Sequence, residues 1–151
     1  EPLDEFHAWL ARQRRPAVPA PPEPDPEMEA LSEPGPETTP ADSAAARRRA
    51  DRLRLGRAVY LDPEHRCVEC HVVRGVNERV ESPGERQVDG PDLTHVASRR
   101  ILAGGLLRTS RGAMSGWLAN PQVLKPGGLM PRIPLEPAEL KALTDYMMSL
   151  R

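Results

Sequence analysis

Both cysteines of the chain lie in one short run, Cys67-Val68-Glu69-Cys70-His71. Residues three apart on a helical turn share a face. Two thiols at this spacing can therefore add to the two vinyl groups along one edge of a haem, and the next residue, His71, then projects toward the iron. Three other readings of the pair are weaker. A disulfide between Cys67 and Cys70 would close a very small loop and stabilise little. A thioredoxin-like dithiol calls for a βαβ context that the sequence lacks. Zinc would need a fourth well-spaced ligand beyond His65 or His71. The expectation is one covalent haem c, with His71 as an iron ligand.

A sixth ligand has to come from elsewhere, and the candidates are Met28, Met114, Met130, Met147, Met148, His7, His65 and His95. Met147 and Met148 fall in a terminal helical pattern, Met114 sits beside Trp117 on another, and Met28 lies in a Pro-rich stretch, so each has a packing or linker explanation. Met130 differs. Lys125-Pro126-Gly127-Gly128-Leu129-Met130-Pro131 is a non-helical strap, whose glycines allow close approach and whose prolines stiffen it. It can present a thioether to a metal. A His and Met pair favours reduced iron and leaves no open position, which argues for electron transfer and assigns no catalytic residue. His95 is the rival and would give a bis-His haem.

The elements that must position these groups read as helices. Asp42 or Ser43 can cap one running to about Leu61, with Leu53, Gly56 and Tyr60 on one face and Pro63 as its stop. Glu136, Pro137, Ala138 and Glu139 open another, whose apolar stripe is Leu140, Leu143, Met147 and Leu150. Shorter helical stretches are expected near Ser98 to Ala103 and from Ser110 to Ala119, the latter ended by Asn120 and Pro121. No segment reads as a strand. The folded part is expected to be all-α, with four or five helices, and its small apolar complement calls for a macrocycle to fill the core.

The chain has 18 Pro in 151 residues, and nine of them fall between Pro16 and Pro40, with Glu23, Asp25, Glu27, Glu29, Glu33 and Glu37 and no basic residue. Such a segment buries too little apolar surface to offset its ordering entropy, so residues 16–43 read as a disordered, extended linker. From Ala44 onward 18 Lys and Arg stand against 12 Asp and Glu, so the near-neutral total hides a basic domain behind an acidic tether. Basic residues without interleaved aromatics do not indicate a nucleic-acid partner. No run of 18 apolar residues and no export signal is present in the sequence. Residues 1–15 carry Leu3, Phe6, Trp9 and Leu10 at helical spacing. They read as the last helix of something upstream.

With these residues in hand, positions 44–151 resemble class I cytochrome c. Gly56 with Tyr60, and Leu143 with Tyr146, match the family's crossing of first and last helices. Gly90-Pro91-Asp92-Leu93 matches the loop in which the Pro carbonyl accepts a hydrogen bond from the proximal histidine, which implies that Pro91 orients His71. Trp117 matches the tryptophan whose indole reaches a haem propionate, with plain core packing as the other reading. GPDLTHVASRR, WLANP and KPGGLMP are similar to the cytochrome c domain fused to subunit II of caa-type cytochrome c oxidases, and DEFHAWLARQ resembles the end of the copper-binding domain that precedes it there. No dinuclear copper ligands are present, so the resemblance implies that they lie in a missing N-terminal portion or another polypeptide. The stretch Val73 to Asp89, with Glu78, Glu81 and Glu85, is longer than the family's usual link and reads as a solvated loop.

The resemblance implies a carrier of single electrons from a cytochrome c or quinol-oxidising complex to the oxidase copper site, in company with other oxidase subunits. It would sit on the extracytoplasmic (periplasmic) face of a bacterial cell membrane, held there by a missing segment or by partner subunits. The alternatives are a tethered monohaem cytochrome of another respiratory complex, such as alternative complex III or a nitrogen-oxide reductase, and a haem-based ligand sensor or peroxidase.

Overall fold

A computed structural model describes residues 2–16, 40–77 and 90–151. Residues 17–39 of the expected linker (16–43) and 78–89 of the expected loop (73–89) lie outside the described residues, as does Met28; in the loop's described part Val73 is fully buried rather than solvated. The described chain runs α1 (Leu3–Gln13), α2 (Pro40–Leu61), α3 (Cys67–Cys70), a 3-10 turn (Val96–Ser98), β1 (Ile101–Leu102), β2 (Leu107–Arg108), α4 (Arg111–Ala119), α5 (Pro121–Leu124) and α6 (Pro137–Ser149).

Helix α2 starts at Pro40, ahead of the expected cap at Asp42 or Ser43, so residues 40–43 are helical rather than linker. Proline tolerates a first-turn position because its missing amide donor has no partner there, and Asp42 in that turn suits the positive end of the helix dipole. Helix α6 begins as expected, with Pro137 in its first turn and a reciprocal capping box between Glu136 and Glu139.

The two long helices pack across each other at Gly56. A Cβ built there would fall 2.1 Å from the carbonyl oxygen of Ala142 and 2.7 Å from Tyr146 Cβ, so only glycine permits this approach. Tyr60 and Tyr146 flank the crossing with ring centroids 6.0 Å apart, and both are fully buried. Leu143 and Met147 of α6, with Leu150 just past its end, join Val59, Val73, Val96 and Met114 in one core.

Two expectations need correction. The stretch from Ser98 to Ala103 is not helical: after the 3-10 turn, Ile101 pairs with Arg108 and Leu102 with Leu107 in a small antiparallel ladder. The chain reverses through Ala103, Gly104 and Gly105, all at positive φ (55°, 67° and 101°). Two glycines in a row make that left-handed path cheap and stop any helix. Second, Pro121 does not simply end α4. It stands at the start of the short α5, and Asn120 caps it by accepting from the Val123 amide.

Candidate functional site

Helix α3 is a single turn that carries Cys67 and Cys70, both free thiols. Arg66 enters it in the left-handed conformation (φ 56°), and His71 leaves it extended while its amide still donates to the Cys67 carbonyl at 3.0 Å. Burial pushes the Cys67 thiol up to about 11.

His71 is held at its ring. Its Nδ1 lies 2.9 Å from the Pro91 carbonyl. Gly90 is pressed so closely behind it that a Cβ would sit 2.5 Å from His71 Cε1, and the Gly90 amide donates to the Cys70 carbonyl at 2.8 Å. Only an Nδ1–H can make the bond to Pro91, which leaves Nε2 as the lone-pair nitrogen. Burial holds His71 below its ordinary pKa; the Pro91 bond opposes this and nearby Arg99 adds to it. A neutral imidazole is the ligating form.

Two adjoining cavities, about 440 and 540 Å³, share Cys67, His71, Pro91, Leu129 and Met130 in their walls. The first also reaches Trp117, Met114, Met147 and Tyr60, while Cys70 and His65 line the second. Leu129 is 80% exposed, so the space opens to the surface beside Met130. The strap that presents Met130 is non-helical and turns through Gly127 at φ 77°. Gln122 of α5 ties it down, its Nε2 donating to the carbonyls of both Gly128 and Met130 at 2.7 Å.

The other candidate ligands fall elsewhere or are otherwise engaged. His95 is not in either cavity wall; it is buried, with Nε2 3.0 Å from the Arg15 carbonyl. His65 lies between Asp62 (3.7 Å) and Glu139 (3.8 Å). His7 is on the exposed α1, packed against Phe6. Met148 borders a separate cleft among Arg49, Arg52 and Lys141. Met114 and Met147 line the first cavity, but each is only 3% exposed and belongs to the packed core.

Four groups that line this site or bond to its residues escaped the sequence reading: Gln122, Asn77, the hydroxyl of Tyr60, and Arg99. Arg99 lines the first cavity and donates to the Asp92 carbonyl. A Gln next to the strap's own turn was a signal for the first. The other three depend on contacts that no local pattern encodes.

An apolar double cavity, two thiols one helical turn apart, an imidazole with its second nitrogen free and a thioether in the same wall fit a covalently attached, axially ligated haem. The comparisons agree with this geometry. The Cytochrome c family matches residues 53–151. The chain belongs to the cytochrome c family. Its family implies covalently bound haem c. Similar proteins include cytochrome c oxidase subunit 2 of Alkalihalophilus pseudofirmus (strain ATCC BAA-2126 / JCM 17055 / OF4), 31% identical over 97 residues, covering 64% of this chain and 25% of that protein. Cytochrome c oxidase subunit 2 of Bacillus sp. (strain PS3) is 32% identical over 87 residues, covering 56% of this chain and 23% of that protein. The cytochrome c chain thus spans about a quarter of the length of the curated relatives it matches. Among the described residues no helix is long and apolar enough to cross a membrane.

Proposed function

We propose that this chain is the electron-transfer haem domain of an oxidase subunit II-type protein, with one haem attached through Cys67 and Cys70 and ligated by His71 and Met130. The observation that carries the reading is the meeting of His71 and Met130, 59 positions apart in sequence, in the walls of the same two cavities.

When bound, haem c supplies a one-electron iron couple. The chain's part is to hold it. Pro91 fixes the tautomer and direction of His71 and raises its basicity, Gln122 fixes the strap of Met130, and Trp117 stands in the cavity wall where its indole can donate to a propionate. If His71 and Met130 both held the iron, no position would be left on it for a substrate. This favours a carrier over a ligand sensor. Electrons are taken from a cytochrome c or a quinol-oxidising complex and passed to the copper site of a terminal oxidase, on the extracytoplasmic side of the membrane. The likeness to two oxidase subunits supports this partner over another respiratory complex.

The test is an optical spectrum of the oxidised and reduced protein with and without Met130→Ala. The oxidised wild type is expected to show the near-infrared sulfur-to-iron band, and the variant to lose it and bind carbon monoxide when reduced. Absence of the band from the wild type would overturn Met130 as ligand.

A further inference from the structure

The main chain of His71 is gripped as firmly as its ring. Its carbonyl oxygen accepts from Asn77 Nδ2 at 3.0 Å and lies 3.0 Å from the Tyr60 hydroxyl. Asn77 Oδ1 accepts from the Val73 amide at 2.9 Å and lies 2.9 Å from the same hydroxyl. The amide orientation is unambiguous, because the Val73 N–H can be met only by an oxygen. One Asn side chain therefore bridges the residue two past His71 back to His71 itself, and the single Tyr60 hydrogen closes the ring between their two acceptors. Tyr60 and Val73 are fully buried, so water has no ready access to replace these bonds. Tyr60 belongs to α2, lines the first cavity and packs against Tyr146 with the rings tilted by 42°, which connects the attachment turn to the helix crossing.

We propose that Asn77, with Tyr60, is the positioning residue of His71: it fixes the ligand's main chain and hence the plane its imidazole presents to the iron. The ring contacts with Pro91 and Gly90 fix Nδ1, and the His71 amide is tied to the Cys67 carbonyl, but neither holds the peptide that follows His71. Swinging the His71 carbonyl would carry its Cβ along and turn the ring about the Nδ1 bond. The clasp removes that freedom, and such outer partners orient a ligand and tune the metal. This inference rests on His71 being an iron ligand.

The test compares the oxidised holoprotein with Asn77→Ala, Asn77→Asp and Tyr60→Phe, reading the hyperfine-shifted proton resonances of the axial histidine and haem methyls, the reduction potential and Tm. Asn77→Ala is expected to move the hyperfine shifts and the potential, and Tyr60→Phe to move them less, since the Asn77 bond to His71 survives. Asn77→Asp carries its own control. Ionised, it sets an oxygen against the His71 carbonyl and should disturb the pattern. Protonated at acid pH, it can again donate to that carbonyl, and the wild-type pattern should return. Variants that lower Tm but keep the wild-type shifts and potential would overturn the proposal, leaving a purely structural bond network. Should Asn77→Ala not fold, Tyr60→Phe decides alone by the same criterion. A wild type lacking the spectrum of a histidine-ligated c-type haem would instead overturn the ligand assignment, and this proposal with it.

Discussion

If Met130 ligates the iron as proposed, that ligand is only as secure as the strap that carries it. Gln122 spends both hydrogens of its amide on that strap, one on Gly128 and one on Met130. Truncation to Ala frees two carbonyls close to solvent, so the global cost should be modest, ~1 kcal/mol. The local effect should be larger in kind: a looser Met130 yields its iron position more readily. Gln122→Ala is expected to bind imidazole on oxidised iron about tenfold more tightly than wild type, equivalent to ~1.4 kcal/mol, as followed by loss of the near-infrared band. An unchanged midpoint would show that the strap holds Met130 without Gln122. This residue also marks the limit of sequence reading. Cys67, Cys70 and His71 could be proposed from sequence because they lie in five consecutive positions, and Met130 because its strap is neither the helix nor the linker that accounts for the other methionines. Asn77 and Arg99 bond to groups four to seven residues back in irregular backbone, and the Tyr60 hydroxyl to groups 11 and 17 residues on, separations that no helical or strand period marks.

Among the elements, the α2–α6 crossing decides whether a cavity exists at all, and two glycines test it by contrast. At Gly56 a methyl would overlap the Ala142 carbonyl, which is backbone and can yield only if the helices part. Gly56→Ala gains ~1 kcal/mol of helix propensity but loses about 3 kcal/mol or more to overpacking, so it should lower Tm, on the order of 10 °C. Gly112 in α4 has nothing within 4 Å of a built Cβ, and Gly112→Ala should leave Tm unchanged or raise it. Thermal unfolding of the pair checks both; equal Tm values would mean that the crossing is not tight. The last helix was legible from its cap and apolar stripe; the first long helix was legible from its apolar face, but it starts at Pro40, ahead of the expected cap. The 101–108 hairpin was not, because two-residue strands are too short to show alternation; its glycine pair was the available clue. Likewise Pro121 signalled an end to α4 but, combined with Asn120 as a cap, equally signals a start.

For the whole molecule, the sequence sets a basic domain, proposed to carry one haem, behind an acidic, Pro-rich stretch. Residues 16–40 carry six carboxylates and no cation ahead of a domain with six excess positive charges. If this segment links the domain to its acceptor, it sets an effective concentration that replaces free diffusion. Two regimes then give opposite results on shortening. Where the tether is longer than the span it must cross, halving it raises effective concentration by about 2^1.5, or ~3-fold. Where reach is limiting, halving it abolishes contact. At ~3.1 Å per residue for a Pro-rich chain, these 25 residues reach roughly 75 Å and half of them roughly 40 Å. On composition alone, nine prolines and six carboxylates favour a spacer over a coil, and so the second regime. Deleting half of 16–40 in the assembled oxidase is therefore expected to slow steady-state turnover while leaving the optical spectrum unchanged. Equal or faster turnover would rule out a reach-limited carrier, because a spacer cannot lose half its length without losing its span.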